Sequence, residues 1–315
     1  MNIRKRLIVV EPHGFCSGVA RAVQTAEALL ARFPGETVYG LNEIVHNQQV
    51  VARLTGLGMR FVRSIDEVPE GARLLFSAHG VAPDVVARAA ARHLRAIDAT
   101  CPFVSKVHAE VRRFAAQGAC VVCIGHRRHE EVIGVAGEAP ERVRIVENAA
   151  EAEALTVPPD VPVAVVTQTT LGGEQVDAVM AVLCRRFPEL RLPVATDVCY
   201  ATRNRQQAVR VLAGCCARVL VLGSANSSNS QRLVETACAA GAEADLVSTM
   251  EQLDGLGLAG SCQVGLTSGA STPESFLDAV VARLRERYGF PAPERLAAVE
   301  EDSLVFKLPA LDAGC

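Results

Sequence analysis

Short runs rich in Val, Ile and Leu recur along the chain, each closed by small or polar residues: RLIVV, ETVYG, RLLFSAHG, ACVVCIGH, PVAVVTQ, RVLVLGSA and CQVGLTSG. Between them lie helical patterns such as VARAVQTAEALLARF and RQQAVRVLAGC. Strands alternating with helices of this length imply parallel sheets built from strand–helix–strand units. In such sheets the loops at the carboxyl ends of the strands carry the ligands. With 315 residues, 50% of them apolar, the chain can bury a large core.

Taken in order, those loops form an internal repeat. The first third has Cys16 in HGFCSGV, His46 in LNEIVHNQQV and His79 in FSAHGVAP. The second has Cys101 in DATCPFV, His126 and His129 in GHRRHEEV, and Thr169 in TQTTL. The last has Cys199 in DVCYATRN, Ser227, Ser228 and Asn229 in SANSSNSQ, and Ser271 in TSGASTPE. About 30 residues separate cysteine from second loop each time. The spacing predicts three small α/β lobes, whose cysteines converge if the lobes pack around a pseudo-threefold axis. Lobe 1 is expected over 1–97 plus 285–315, lobe 2 over 98–195 and lobe 3 over 196–284. The tail after about residue 285 is expected to pack back on the first lobe. The segment 147–162 reads as a surface helix followed by a Pro-rich connection.

Each of Cys16, Cys101 and Cys199 is expected between a strand and a helix. Pro102 suits a first helical position, where its missing N–H costs nothing. A helix N-terminus stabilises a thiolate. Three converging thiolates can take an iron–sulfur cluster with one iron open to substrate, a zinc ion, or a nucleophilic role, and spacing alone does not choose. The chain has 11 cysteines and no signal-like leader, so reduced thiols are expected in place of a disulfide framework. Cys120 and Cys123 lie within a strand, three apart and on opposite faces, and read as packing residues. Cys184, Cys215, Cys216, Cys238, Cys262 and Cys315 are read as structural too.

His46, His79 and His129, with Ser227, Asn229 and Ser271, form a set of donors beside expected helix starts. Backbone N–H groups and helix dipoles there favour anions, so a phosphate or diphosphate fits the set. Glu131 reads either as a first-turn acid complementing a helix dipole or as a proton donor beside His129 and Thr169. Glu130 competes for either role. Net charge is −3, and there are ten Phe, three Tyr and no Trp, which argues against nucleic acid. No apolar run reaches the ~20 residues of a membrane span. A soluble, cytoplasmic protein is expected.

The motifs HGFCSGV, EIVHN, SAHGV, DATCP, GHRRHEEV, TQTTL, DVCYATRNRQ, GSANSSNS and GASTPE, in this order from about residue 8 to 285, together resemble the 4-hydroxy-3-methylbut-2-enyl diphosphate reductases. The resemblance implies a three-lobed, pseudo-threefold α/β trefoil with a [4Fe–4S] cluster at its centre, held by Cys16, Cys101 and Cys199, with one open iron. It implies that His46, His79, Ser227, Ser228, Asn229 and Ser271 hold a diphosphate, with His129 adding a contact. Thr169 would orient the substrate hydroxyl and Glu131 would feed it protons. It further implies ferredoxin or flavodoxin as electron donor, and the last step of the non-mevalonate isoprenoid pathway as the reaction. The residues taken alone leave open a phosphate-ligand-binding α/β protein or a zinc-dependent hydrolase. Arg127, Arg128 and Glu130 in GHRRHEEV, and Ala225 in GSANSS, depart from the family's pattern and are expected to touch none of the assigned residues.

Overall fold

The structure is a computed structural model, and it describes residues 5–301 and 304–311. In chain order the first strands and helices are β1 (Arg6–Glu11), α1 (Ser17–Arg32), β2 (Val38–Leu41), α2 (Gln48–Gly56), β3 (Met59–Val62), β4 (Arg73–Phe76), α3 (Pro83–Ala91) and β5 (Arg95–Asp98). Then come α4 (Pro102–Ala116), β6 (Cys120–Ile124), α5 (Glu130–Ala136), β7 (Val143–Val146), α6 (Ala149–Ala154), β8 (Val163–Thr167) and α7 (Gly173–Arg186). The last are α8 (Tyr200–Cys215), β9 (Arg218–Leu222), α9 (Ser228–Ala239), β10 (Glu243–Val247), α10 (Met250–Gly255), β11 (Gln263–Ser268), α11 (Glu274–Tyr288) and β12 (Glu294–Ala297).

All strand pairs are parallel, and they form three sheets. Their orders are β10-β9-β11-β1-β12, β3-β2-β4-β5 and β7-β6-β8. Helices cover both faces, which is why the strands read as unbroken apolar runs. β6 and β8 are buried at every residue. Alternate residues feed two cores: Val121, Cys123, Ala164 and Val166 on one side, Val122, Ile124, Val163 and Val165 on the other. Each such aliphatic side chain contributes about 1.5–3 kcal/mol by leaving water. Around the five-stranded sheet, Leu7, Val9, Leu220 and Leu266 face one core while Ile8, Val10, Val219 and Val221 face the other.

The order within the sheets is one pattern used three times. A central strand (β2, β6 or β9) is flanked by the next strand on one side and the one after on the other. Outside the latter sits the segment that leads into a cysteine: β5 beside β4, β1 beside β11, and Arg191 bridged to Ala164 of β8. Three helices of 16, 15 and 16 residues (α1, α4, α8) then lead to the central strand of another sheet. A division at residues 97 and 195 therefore follows chain position and not sheet membership. β1 joins the sheet of the last third, and the tail strand β12 pairs with β1 there. Cys199 is preceded by bends and the single bridge at Arg191, not by the full strand expected. The helix over 149–154 and the proline-rich stretch after it match the reading of 147–162.

Contacts separate two compact units, Met1–Val19, His46–Arg53 and Tyr200–Val305 in one, Ala20–Val45, Leu54–Cys199 and Phe306–Cys315 in the other. The first holds the five-stranded sheet and the second holds the other two. Among the described residues, no helix is long and apolar enough to cross a membrane.

Candidate active site

Cys16, Cys101 and Cys199 are half-buried and in no disulfide among the described residues, and each immediately precedes its helix. Cys101 is the N-cap of α4, with Pro102 in the first turn. The three backbones are tied down identically. Cys16 N donates to Ala270 O at 3.1 Å, Cys101 N to Ala78 O at 2.9 Å and Cys199 N to Thr169 O at 3.0 Å. Each acceptor lies two residues beyond the end of its strand, β11, β4 or β8. This sets the repeat's register: Thr169 corresponds to Ala78 and Ala270, while the counterpart of His79 and Ser271 is Thr170. The match of Thr169 to His79 and Ser271, read from spacing, is one residue off. The second loops do align as read. His46, His129 and Ser227 each lie five residues past the central strand's end.

In the second unit, the loop after β6 and the loop after β8 build a buried acid. His129 caps α5, its Nδ1 accepting from Glu131 N at 3.2 Å. A ring nitrogen that accepts carries no proton, so the neutral ring keeps its proton on Nε2. Glu131 is only 1% exposed. Its Oε1 accepts from Thr169 N at 2.7 Å and its Oε2 from Thr169 Oγ1 at 3.1 Å. The His79 and His129 rings meet in a T-shaped arrangement, with centroids 5.6 Å apart. Glu130 points elsewhere: its Oε2 lies 3.1 Å from His79 Nδ1. Thus Glu130 does touch an assigned residue, contrary to expectation, because the first turn of α5 faces the Ser77–Gly80 loop. Arg127 turns away, donating to Glu151 Oε2 at 2.6 Å.

In the first unit, the loops after β9 and β11 make a set of neutral donors. Ser227 caps α9, with its Oγ accepting from Ser230 N at 3.3 Å. Asn229, 4% exposed, accepts from Ala270 N through Oδ1 at 2.9 Å. Its buried Nδ2 has no hydrogen-bond partner among the described residues. A buried amide hydrogen left unmet is costly, and an acceptor brought by a ligand would satisfy it. Ser271 Oγ donates to His46 O at 2.9 Å, and Asn226 Nδ2 lies 3.5 Å from His46 Nδ1. Ser228 is buried in the first turn of α9.

Two residues inside the quoted motifs, to which the sequence assigns no role, hold these loops in place. Gln168 is buried and takes the His126 N–H at 3.0 Å while donating to Thr170 Oγ1 at 2.9 Å, which fixes the TQTT turn. Asp197 accepts from Thr167 N at 3.0 Å and from Lys106 Nζ at 2.9 Å, which anchors the Cys199 loop. Burial holds the Asp197 carboxyl above its usual range, against the pull of Lys106 and the Thr167 N–H.

The remaining thiols divide in two. Burial pushes the Cys123 thiol far up and that of Cys216 up to about 11, as inert packing groups require. Cys120 is buried as well. Cys184, Cys215 and Cys238 are exposed, which corrects their reading as structural residues: each lies on a helix face that the cores leave uncovered. Cys262 is half-buried, and Cys315 lies outside the described residues.

Known proteins supply an independent measure. Residues 7–285 match the family model described as LytB protein. A 4-hydroxy-3-methylbut-2-enyl diphosphate reductase of Acidothermus cellulolyticus is 48% identical over 307 residues, covering 97% of this chain and 89% of its own. One of Rhodococcus jostii is 49% identical over 306 residues, covering 97% and 90%. The solved structure of the E-1-hydroxy-2-methyl-but-2-enyl-4-diphosphate reductase from Plasmodium falciparum superposes with a TM-score of 0.93 at 35% identity, covering 97% of this chain and 96% of that one. With its cysteine loops, its buried Glu131 and this match over nearly its whole length, the chain belongs to the LytB family, that of the 4-hydroxy-3-methylbut-2-enyl diphosphate reductases.

Proposed function

We infer that the chain is an iron–sulfur oxidoreductase that removes the allylic hydroxyl of 4-hydroxy-3-methylbut-2-enyl diphosphate. Two electrons and two protons convert the C–O bond to C–H and release water, giving isopentenyl and dimethylallyl diphosphates. The observation that carries this reading is Glu131, a buried carboxyl clamped by both the N–H and the hydroxyl of Thr169, in a chain of this family.

Cys16, Cys101 and Cys199 fit a [4Fe–4S] cluster: they are half-buried, soft donors on backbones held by equivalent hydrogen bonds. When bound, such a cluster supplies electrons singly and a Lewis-acidic iron for the oxygen that leaves. Hydroxide is a poor leaving group, so a proton must reach it as the bond breaks. Glu131 is placed to hold that proton, and Thr169 Oγ1 passes it or orients the hydroxyl. His129, with its proton on Nε2, is a neutral donor beside them. His46, Ser227, Ser228, Asn229 and Ser271 take the diphosphate, with His79 as a further donor steadied by Glu130. Neutral donors and helix N-termini match a diphosphate without an arginine clamp. The electrons come from a small protein donor such as ferredoxin or flavodoxin.

Protein purified without oxygen is expected to be brown, to hold about four irons per chain, and to convert the substrate with a reduced donor. Zinc in place of iron, with hydrolytic activity, would point to the hydrolase. A colourless, metal-free chain that binds diphosphates without turnover would leave only a ligand-binding protein.

A further inference from the structure

Each helix that follows a cysteine carries a cation near its start, and that cation reaches the loop of another cysteine. Arg21, five residues after Cys16, donates from Nη1 to Thr100 O at 3.0 Å, the carbonyl just before Cys101. Lys106, five residues after Cys101, donates to Ala195 O at 2.6 Å, Thr196 O at 3.3 Å and Asp197 Oδ1 at 2.9 Å, all before Cys199. Arg205, six residues after Cys199, donates from Nη2 to Gly14 O at 2.9 Å and His13 O at 3.5 Å, just before Cys16. In chain order the series closes on itself.

Packing alone does not account for this. Arg205 is 1% exposed, the largest of the fully buried side chains, and burying a guanidinium costs several kcal/mol unless it is well paired. Its charge is met by Glu301 at 3.2 Å and by the carbonyls of Gly14, His13 and Ala201. Lys106 keeps its amine at an Asp197 carboxylate that is wholly buried. A neutral side chain of similar length would fill either volume without the desolvation cost. A fixed positive charge beside a loop that ends in a thiolate does two things. It holds the loop's carbonyls still, and it favours any added negative charge at the sulfur.

We propose that Arg21, Lys106 and Arg205 are positioning residues for the iron–sulfur site, fixing the three cysteine loops and favouring the reduced, more negative cluster. The proposal rests on the functional reading above. It is tested on the full-length chain, purified without oxygen, as Arg21→Met, Lys106→Met and Arg205→Met beside Arg21→Lys and Lys106→Arg. The Met variants are expected to lose iron to a chelator about 10- to 100-fold faster, with the midpoint potential of the bound cluster shifted negative. The charge-keeping variants are expected to recover the potential and most of the retention. Lys106, whose side chain is 30% exposed, keeps the test open if Arg205→Met does not fold, and circular dichroism sorts the two cases. Met variants with native fold, native iron release and native potential overturn the proposal alone. A wild-type chain that takes up no iron overturns it together with the functional reading.

Discussion

Glu131 and Asn229 occupy the same place in two repeats, seven residues past the end of a central strand. Each accepts from the backbone N–H of the residue two past the end of the third strand: Thr169 N at 2.7 Å, Ala270 N at 2.9 Å. The backbone frame is therefore common, and the side chains alone divide the labour. Where the carboxyl sits, the facing residue is a threonine whose hydroxyl bonds it. Where the amide sits, the facing residue is an alanine, and the amide hydrogens stay unspent. One frame holds a buried carboxyl and the other an amide with unmet hydrogens; under the proposed function the first would hand on a proton and the second would meet an anion.

The strongest way to break the contrast is Glu131→Gln, which makes the acid loop chemically like its amide counterpart. Turnover is expected to fall by about 10²- to 10⁴-fold, while iron content and substrate affinity hold. Single-turnover kinetics with a pre-reduced cluster checks it, and native turnover would remove Glu131 from proton delivery. The converse change, Asn229→Asp, sets a carboxylate against the diphosphate. It is expected to raise KM about 10- to 100-fold with kcat within a few-fold, since like charges brought together cost several kcal/mol. An unaltered KM would place the anion elsewhere.

Thr169→Val removes one of the two bonds to Glu131 and leaves the backbone bond in place. A loss of about tenfold in kcat is expected, the value of one hydrogen bond to an ionisable group. Gly125 and Gly223 sharpen the comparison at the level of stability. A Cβ at Gly125 would sit 2.6 Å from Val132 Cγ2, and one at Gly223 would sit 2.2 Å from Ser230 Oγ, the same helix position in both repeats. Alanine at either is expected to cost about 1–3 kcal/mol in urea unfolding. The cost is expected to be at least as large at Gly223, where the added Cβ would also lie 2.6 Å from Ser230 Cβ, a contact that rotating the hydroxyl does not relieve.

The candidate site was readable from sequence to the extent that it is repetitive and local. Cys16, Cys101 and Cys199 stand out because a strand-to-helix junction is an odd place for a packing residue. His46, His129 and Ser227 stand out because their spacing recurs. TQTT ends in two threonines, and only the Cys199 N–H bond to Thr169 O fixes which of them matches His79 and Ser271. Glu130 reads from sequence as a rival to Glu131, and its pairing with His79 is not legible there because His79 is 51 residues away. Lys106 and Arg205 are cations within helical stretches, and nothing local says that their partners are carbonyls 90 and 191 residues distant.

From sequence alone come the α/β class, the three cysteine helices and the polar loops at strand ends. These depend on hydrophobic periodicity and on chain lengths of about 30 residues, which local physics sets. The tertiary structure decided which sheet takes β1, which threonine faces Glu131 and where each buried charge finds its partner. Those choices rest on pairings far apart in the chain, because a strand edge or a buried polar group can be satisfied by many local sequences. Only the folded chain selects the one it meets.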